Sequence, residues 1–163
     1  MSDAPSCTST ASRVLSIRMG PGENVCTRLC VELSNVGAGA GSVTSCVGSL
    51  SRLVYAVAEL PSNGGLVAYS DRQMITGAIE VGSLQGHLGR DLSGQPAFHL
   101  HGVFALADGT LVGGHVFDAQ VLATLEVSLL IPEGITWRAE PLTATGSGEP
   151  LPGLRVFVPR RSS

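Results

Sequence analysis

Apolar residues change their spacing along the chain near residue 37. Before it, Val25, Leu29, Leu33 and Val36 recur at helical spacing, with Cys26 and Cys30 beside them, which predicts a helix over Glu23–Val36. Glu23 favours the start of that helix and Gly37 is a natural stop. Ahead of it, Arg13–Met19 alternates loosely and predicts a first strand, broken by Gly20-Pro21-Gly22. After the glycines at 37, 39 and 41 the pattern turns strand-like. Val43–Leu50 and Leu53–Leu60 predict short strands, Pro61–Gly65 a loop, and Met74–His87 a strand with bends or bulges at Gly77, Gly82 and Gly86. Gly89–Pro96 predicts a loop. Phe98–Leu106 and Thr110–Phe117 predict a hairpin around Asp108-Gly109, and Val121–Ile131 a central strand ended by Pro132-Glu133-Gly134. Leu154–Val158 adds a last short strand.

This order of strand, helix and then mostly strands predicts an α+β fold: a mixed, largely antiparallel sheet with one main helix packed on a face. The 163 residues suit one domain. Residues 1–12, rich in Ser, Thr and Ala, read as a disordered tail, 13–131 as the domain, and 132–163 as a C-terminal extension wrapping it, Pro/Gly/Ser-rich from Pro141 to Pro152.

Composition narrows the function classes. The net charge is −3, and the chain has no lysine, its ten basic residues all being arginine. A nucleic-acid binder carries a basic face, because phosphate contacts supply most of its affinity, and here the basic cluster is only Arg160-Arg161. No apolar run approaches the ~20 residues of a membrane helix. Met1–Ser12 lacks the apolar segment of a signal peptide, and Cys7, Cys26, Cys30 and Cys46 form no Cys-x-x-Cys pair. The expectation is a cytoplasmic protein with unpaired thiols and no membrane partner.

The distinctive chemistry sits in His99-Leu100-His101 and Gly113-Gly114-His115. On a strand, His99 and His101 project from one face, with Cα atoms about 6.6–6.8 Å apart. Two imidazoles at that spacing can converge on one ion, and three leave a fourth position open on zinc. Whether His115 joins them depends on the hairpin. A two-residue Asp108-Gly109 turn sets His115 opposite Gly102, facing away from His101. A three-residue loop, Ala107-Asp108-Gly109, sets His115 directly across from His101 on the same face, and a bulge at Gly113-Gly114 would also turn it inward. The candidate ligands of zinc or another divalent transition metal are therefore His99, His101 and His115, on condition of that shift. The ordinary alternative is three strand histidines bonded to water or neighbours. His87, after Gly86 near a predicted loop, reads as a surface residue.

Glu126 lies on the more polar face of the Val121–Ile131 strand, where a carboxylate must be solvated or paired. It is a candidate acid/base group or partner of a metal-bound histidine, and an ion pair with an arginine is the competing reading. Glu80 is placed similarly. No nucleophile frame is present: Gly41-Ser42-Val43 and Gly48-Ser49-Leu50 lack Gly-x-Ser-x-Gly, and the glycines at 37, 39 and 41 are no dinucleotide fingerprint.

Several segments in order and spacing resemble one family. They are Ser16–Val36, Gly41–Leu50, Ile79-Glu80-Val81-Gly82-Ser83-Leu84-Gln85-Gly86, the His99-Leu100-His101 triplet, Asp108-Gly109-Thr110-Leu111-Val112-Gly113-Gly114-His115, and Thr124-Leu125-Glu126-Val127. Together they resemble the PPC domain shared by plants and prokaryotes, over roughly residues 13–131. The resemblance implies an α+β fold assembled as a homotrimer, with His99, His101 and His115 as metal ligands in bacterial-type members. Plant members join the domain to AT-hooks and bind DNA, so DNA is an implied partner. This chain departs there, having no Arg-Gly-Arg-Pro AT-hook and an acidic charge balance.

Overall fold

The structure is a computed structural model and describes residues 6–9, 11–60, 68–143 and 150–162. Most of the expected N-terminal tail's first residues, the loop at Pro61–Gly65 and part of the Pro/Gly/Ser-rich tail lie outside the described residues. Strand β1 (Ser12–Met19) leads to helix α1 (Val25–Asn35). Strands β2 (Gly41–Ala56), β3 (Ala58–Glu59), β4 (Ala68–Tyr69), β5 (Gln73–Asp91), β6 (Pro96–Leu106), β7 (Leu111–Pro132), β8 (Ile135–Thr143) and β9 (Pro150–Arg161) follow.

Helix α1 is set by local chemistry. Asn24 caps it, its side-chain oxygen accepting from the Thr27 N–H at 2.9 Å, so the helix starts at Val25, two residues past the expected Glu23. Glu23 instead accepts from the Gly20 N–H and pairs with Arg28, which also pairs with Glu32 one turn on. Val25, Cys26, Leu29 and Leu33 form the buried face, packed toward β5, β6 and β7.

The main sheet is mixed. Its order is β1-β7-β2-β5-β8-β9, with β6 paired to both β5 and β7, while β3 and β4 form a small ribbon of their own. Among the described residues only the β5–β8 pairing is parallel, through Arg90–Arg138 and Asp91–Ala139. Because β2 pairs β5, β5 pairs β6, β6 pairs β7, and β7 returns to β2, these four strands form a closed circuit. One short helix against this much sheet makes the architecture mostly β, so the α+β expectation holds only in its mixed sheet and single packed helix.

Two pairs of predicted strands are each one long strand. Val43–Leu50 and the first part of the expected Leu53–Leu60 strand are continuous in β2, which ends at Ala56, with a bulge between Leu50 and Arg52 on both neighbours. Thr110–Phe117 and Val121–Ile131 join in β7, since Asp118, Ala119 and Gln120 pair with Val54, Leu53 and Arg52. The expected loop at Gly89 begins later, after Asp91, whose carboxylate accepts from the Ser93 and Gln95 N–H groups. Bulges allow such long strands to coil.

The core lies on one face of this curved sheet and under α1. Leu84 and Leu88 of β5, Leu100 and Phe104 of β6, and Val116, Leu125 and Leu129 of β7 join the helix residues in one cluster. Each such side chain, fully buried, stabilises the fold by roughly 1.5–3 kcal/mol. On β6, Leu100, Gly102 and Phe104 face inward, so His99, His101 and Val103 face out.

Candidate metal centre

The hairpin between β6 and β7 decides the site. Leu106 and Thr110 close it: the Leu106 N–H donates to the Thr110 carbonyl at 2.8 Å, and the Gly109 N–H donates to the Leu106 carbonyl at 2.9 Å. The loop is therefore Ala107-Asp108-Gly109, with Gly109 at φ 84° and the Asp108 carboxylate accepting from the Thr110 N–H. Of the two registers open in the sequence, this is the one that sets His101 directly across from His115. No bulge at Gly113-Gly114 is needed on the β6 side, where Gly114 pairs Gly102 and Gly113 pairs Val103.

His99, His101 and His115 converge. One ring nitrogen from each lies within 4.8 Å of the others. The Nε2 atoms of His99 and His101 are 3.0 Å apart, and the three ring centroids are separated by 5.0, 5.1 and 5.1 Å. Two nitrogens at ~2.0–2.1 Å from a tetrahedral zinc would be about 3.3 Å apart, so a small opening of this pair accommodates an ion. The donor set is chemically suitable, three imidazoles with no thiolate competing. The cysteines are unpaired, and burial pushes the Cys26 and Cys46 thiols up to about 12.

Burial also holds the imidazoles neutral. It depresses all three, and His115 falls to about 4, helped by His99, His101 and the Arg72 guanidinium. Neutral imidazole is the ligating form. In the metal-free protein, the unfolded chain therefore takes up a proton at His115 before the folded one does. That contribution to stability is fully present above the ordinary value of 6.5 and is lost as pH falls from there toward about 4. Urea midpoints of metal-free protein are expected to fall across this window, and less steeply in His115→Ala.

Other elements frame the cluster. Tyr69 of β4 brings its hydroxyl within 3.2 Å of His115 Nδ1, and Phe117 lies 4.6 Å from the His115 ring. The Arg72 guanidinium stacks 4.0 Å over Phe117. Phe157 of β9 approaches His99 at 6.0 Å. His87 is not at the open surface expected of it. It is half-buried within β5, directly across from His99, with its Nδ1 3.0 Å from the Ser42 hydroxyl and its ring 4.4 Å from Trp137 of β8. A cleft of about 400 Å³ runs from His99 and His101 past Gln85, Gly86 and His87 to Ser42 and Val43. Spacing signals two of these in retrospect: Phe117 shares the strand parity of His115, and Gln85 that of His87. Tyr69, Arg72, Trp137 and Phe157 come from distant segments and carry no local signal.

Glu126 is not brought to the cluster. It sits on the part of β7 that pairs with β1, exposed, with Arg18 across from it and the Arg18 Nε 3.6 Å from its carboxylate. Glu80 is exposed on β5, opposite Ala105.

These features define a class: a mostly β domain on a closed strand circuit, carrying a cluster of three histidines on the outer face of one hairpin. The chain belongs to the family of the Plants and Prokaryotes Conserved (PCC) domain, whose model matches residues 7–132. The β8–β9 hairpin, which supplies Trp137 and Phe157, lies beyond that match. Among solved structures, a hypothetical protein from Salmonella matches with a TM-score of 0.70 at 23% identity, covering 95% of this chain and 97% of its own. A metal-containing protein from Archaeoglobus fulgidus matches at 0.69 and 21%, covering 91% and 97%. A candidate DNA-binding protein from Ralstonia eutropha matches at 0.67 and 14%, covering 90% of each chain. At these identities the likeness shows the fold. No curated protein matches the sequence. Among the described residues, no helix is long and apolar enough to cross a membrane.

Proposed function

We propose that this chain is a stand-alone metal-binding PCC domain, in which His99, His101 and His115 hold zinc or another divalent transition metal. The observation that carries this reading is the convergence of three ring nitrogens within 4.8 Å. Depressed protonation of all three supports it, as does the description of the Archaeoglobus neighbour as metal-containing. Imidazole suits zinc, copper, iron and nickel. Held by three histidines, such an ion supplies a Lewis acid with an open position. The chain's own residues position it: β6 and β7 fix the imidazole spacing, and Tyr69 orients the His115 ring through Nδ1.

The same reading includes assembly as a cytoplasmic homotrimer. Val14, Val47, Leu122 and Leu130 are exposed on β1, β2 and β7, with Val14 and Leu130 direct partners, and such a patch favours a subunit contact. The test is elemental mass spectrometry of untagged protein beside a His99→Ala/His101→Ala/His115→Ala variant, with light scattering on both. Near-stoichiometric metal in the wild type, its loss in the variant, and the mass of three chains are expected. Wild-type protein that neither carries metal nor takes it up sinks the metal reading, and a monomer sinks the trimer.

DNA contact is the weaker alternative, favoured by the description of the Ralstonia neighbour. Against it, five of the ten arginines (Arg18, Arg28, Arg52, Arg155 and Arg160) are engaged with carboxylates. Salt-dependent binding to duplex DNA would reverse that ranking.

A further inference from the structure

The charge around the three histidines is one-sided. Neutral imidazoles offset none of the charge of a divalent ion, and the charged groups that act on them are other histidines and Arg72, with no carboxylate among them. Arg72 stacks on Phe117, which in turn packs against His115, and it has no carboxylate partner among the described residues. With the ion in place, positive charge accumulates in a half-buried site, and no carboxylate among the described residues acts on the three histidines to balance it, a costly arrangement unless an anion completes it.

The cleft beside the cluster indicates what kind of anion. Its volume of about 400 Å³ falls in the ~300–1,000 Å³ range of small-molecule sites. Ser42, His87 and His99 lie side by side in adjacent strands, as do Gln85, His101 and His115, so one continuous sheet face joins the cleft to the histidines. His87 meets Ser42 through Nδ1, and the Gln85 amide makes no hydrogen bond among the described residues. Carbon atoms make up most of the exposed lining of the cleft, whose floor at Gly86 carries no side chain. A phosphate is recognised by several cations or a row of backbone N–H groups. One amide, one imidazole and a lining that is mostly carbon suit a carbon body instead.

We propose that this cleft is a ligand site for a small organic carboxylate, whose charged end meets the three-histidine centre beside Arg72 and whose carbon body lies over Gly86 between Gln85 and His87. The proposal rests on the metal reading of His99, His101 and His115. It assigns Arg72 to charge recognition and Gln85 to ligand fit, without contact with the ion for either.

The test uses protein loaded with cobalt(II), with its cobalt content measured first and its visible spectrum followed during titration. Acetate and butyrate are expected to change the cobalt bands saturably, and acetamide, the neutral isostere of acetate, to leave them unchanged. Butyrate, with two more CH₂ groups to bury, is expected to bind about tenfold tighter than acetate. Gln85→Trp, at an exposed position lining the cleft, should abolish that advantage, and Arg72→Gln should weaken both acids at least three-fold, both with cobalt content unchanged. Protein that takes up no cobalt overturns both the metal reading and this inference. Cobalt-loaded protein that ignores carboxylates, answers acetamide equally, prefers inorganic phosphate, or keeps wild-type affinities in both variants overturns the inference alone.

Discussion

Gly114→Ala is expected to cost about 3 kcal/mol or more of stability and to remove metal binding with it. Gly114 has φ 151°, a conformation that side-chain-bearing residues rarely adopt. An added Cβ would stand 2.3 Å from the Ala56 carbonyl oxygen and 3.1 Å from its carbon. Backbone atoms of the paired strand cannot turn away as a side chain can, so β2 and β7 must separate. Strain of this kind costs ~1–3 kcal/mol before the collision is added. His115 is the next residue and pairs with Ala56 as well as with His101, so the separation moves a proposed ligand directly. Urea unfolding followed by elemental analysis of the surviving folded protein checks both effects. A variant with wild-type midpoint and metal content would contradict this account.

Phe104→Ala is expected to destabilise by about 3–5 kcal/mol while leaving the metal content of each folded molecule intact. Phe104 is fully buried, and its ring lies back over Gly102, where an added Cβ would come within 2.5 Å of its Cζ. It shares β6 with His99 and His101 but points to the other face. Truncation opens a cavity in the core and removes nothing from the outer face. Thermal or urea melts read the first effect, and metal analysis of protein refolded at low temperature reads the second. Loss of metal without loss of stability would contradict the separation of the two faces.

The contrast shows what the sequence could reveal. Alternation along Phe98–Leu106 already separated His99 and His101 from Leu100 and Phe104, and the Asp108-Gly109 pair announced the hairpin. The register stayed open because Asp108-Gly109 suits either turn, and only the hydrogen bonds of Leu106 with Thr110 and Gly109 choose between them. The helix was legible because its apolar spacing is local. The length of β2 and β7 is not, because polar stretches that look like strand ends, Ser51-Arg52 and Asp118-Ala119-Gln120, are tolerated where a partner strand continues the ladder, with a bulge between Leu50 and Arg52. His87 looks like a loop neighbour because glycines flank it, yet β5 runs past the glycines at 86 and 89 and takes it into the sheet. Arg72, Trp137 and Phe157 reach the site through tertiary placement alone, which no local pattern encodes.

The closed strand circuit has a consequence for the order of assembly. His99, His101 and His115 all belong to one hairpin, and such hairpins form in about 1–10 μs. The wall of the neighbouring cleft belongs to β2 and β5, and the ring of strands closes only when partners as distant as Ser42 and Leu130 meet. Such non-local pairing slows folding toward milliseconds to seconds. A chain leaving the ribosome would thus hold its three imidazoles together well before it holds a ligand cleft. An ion captured at that moment would tether two strands across a short loop, at little cost in chain entropy, while the rest of the ring was still open.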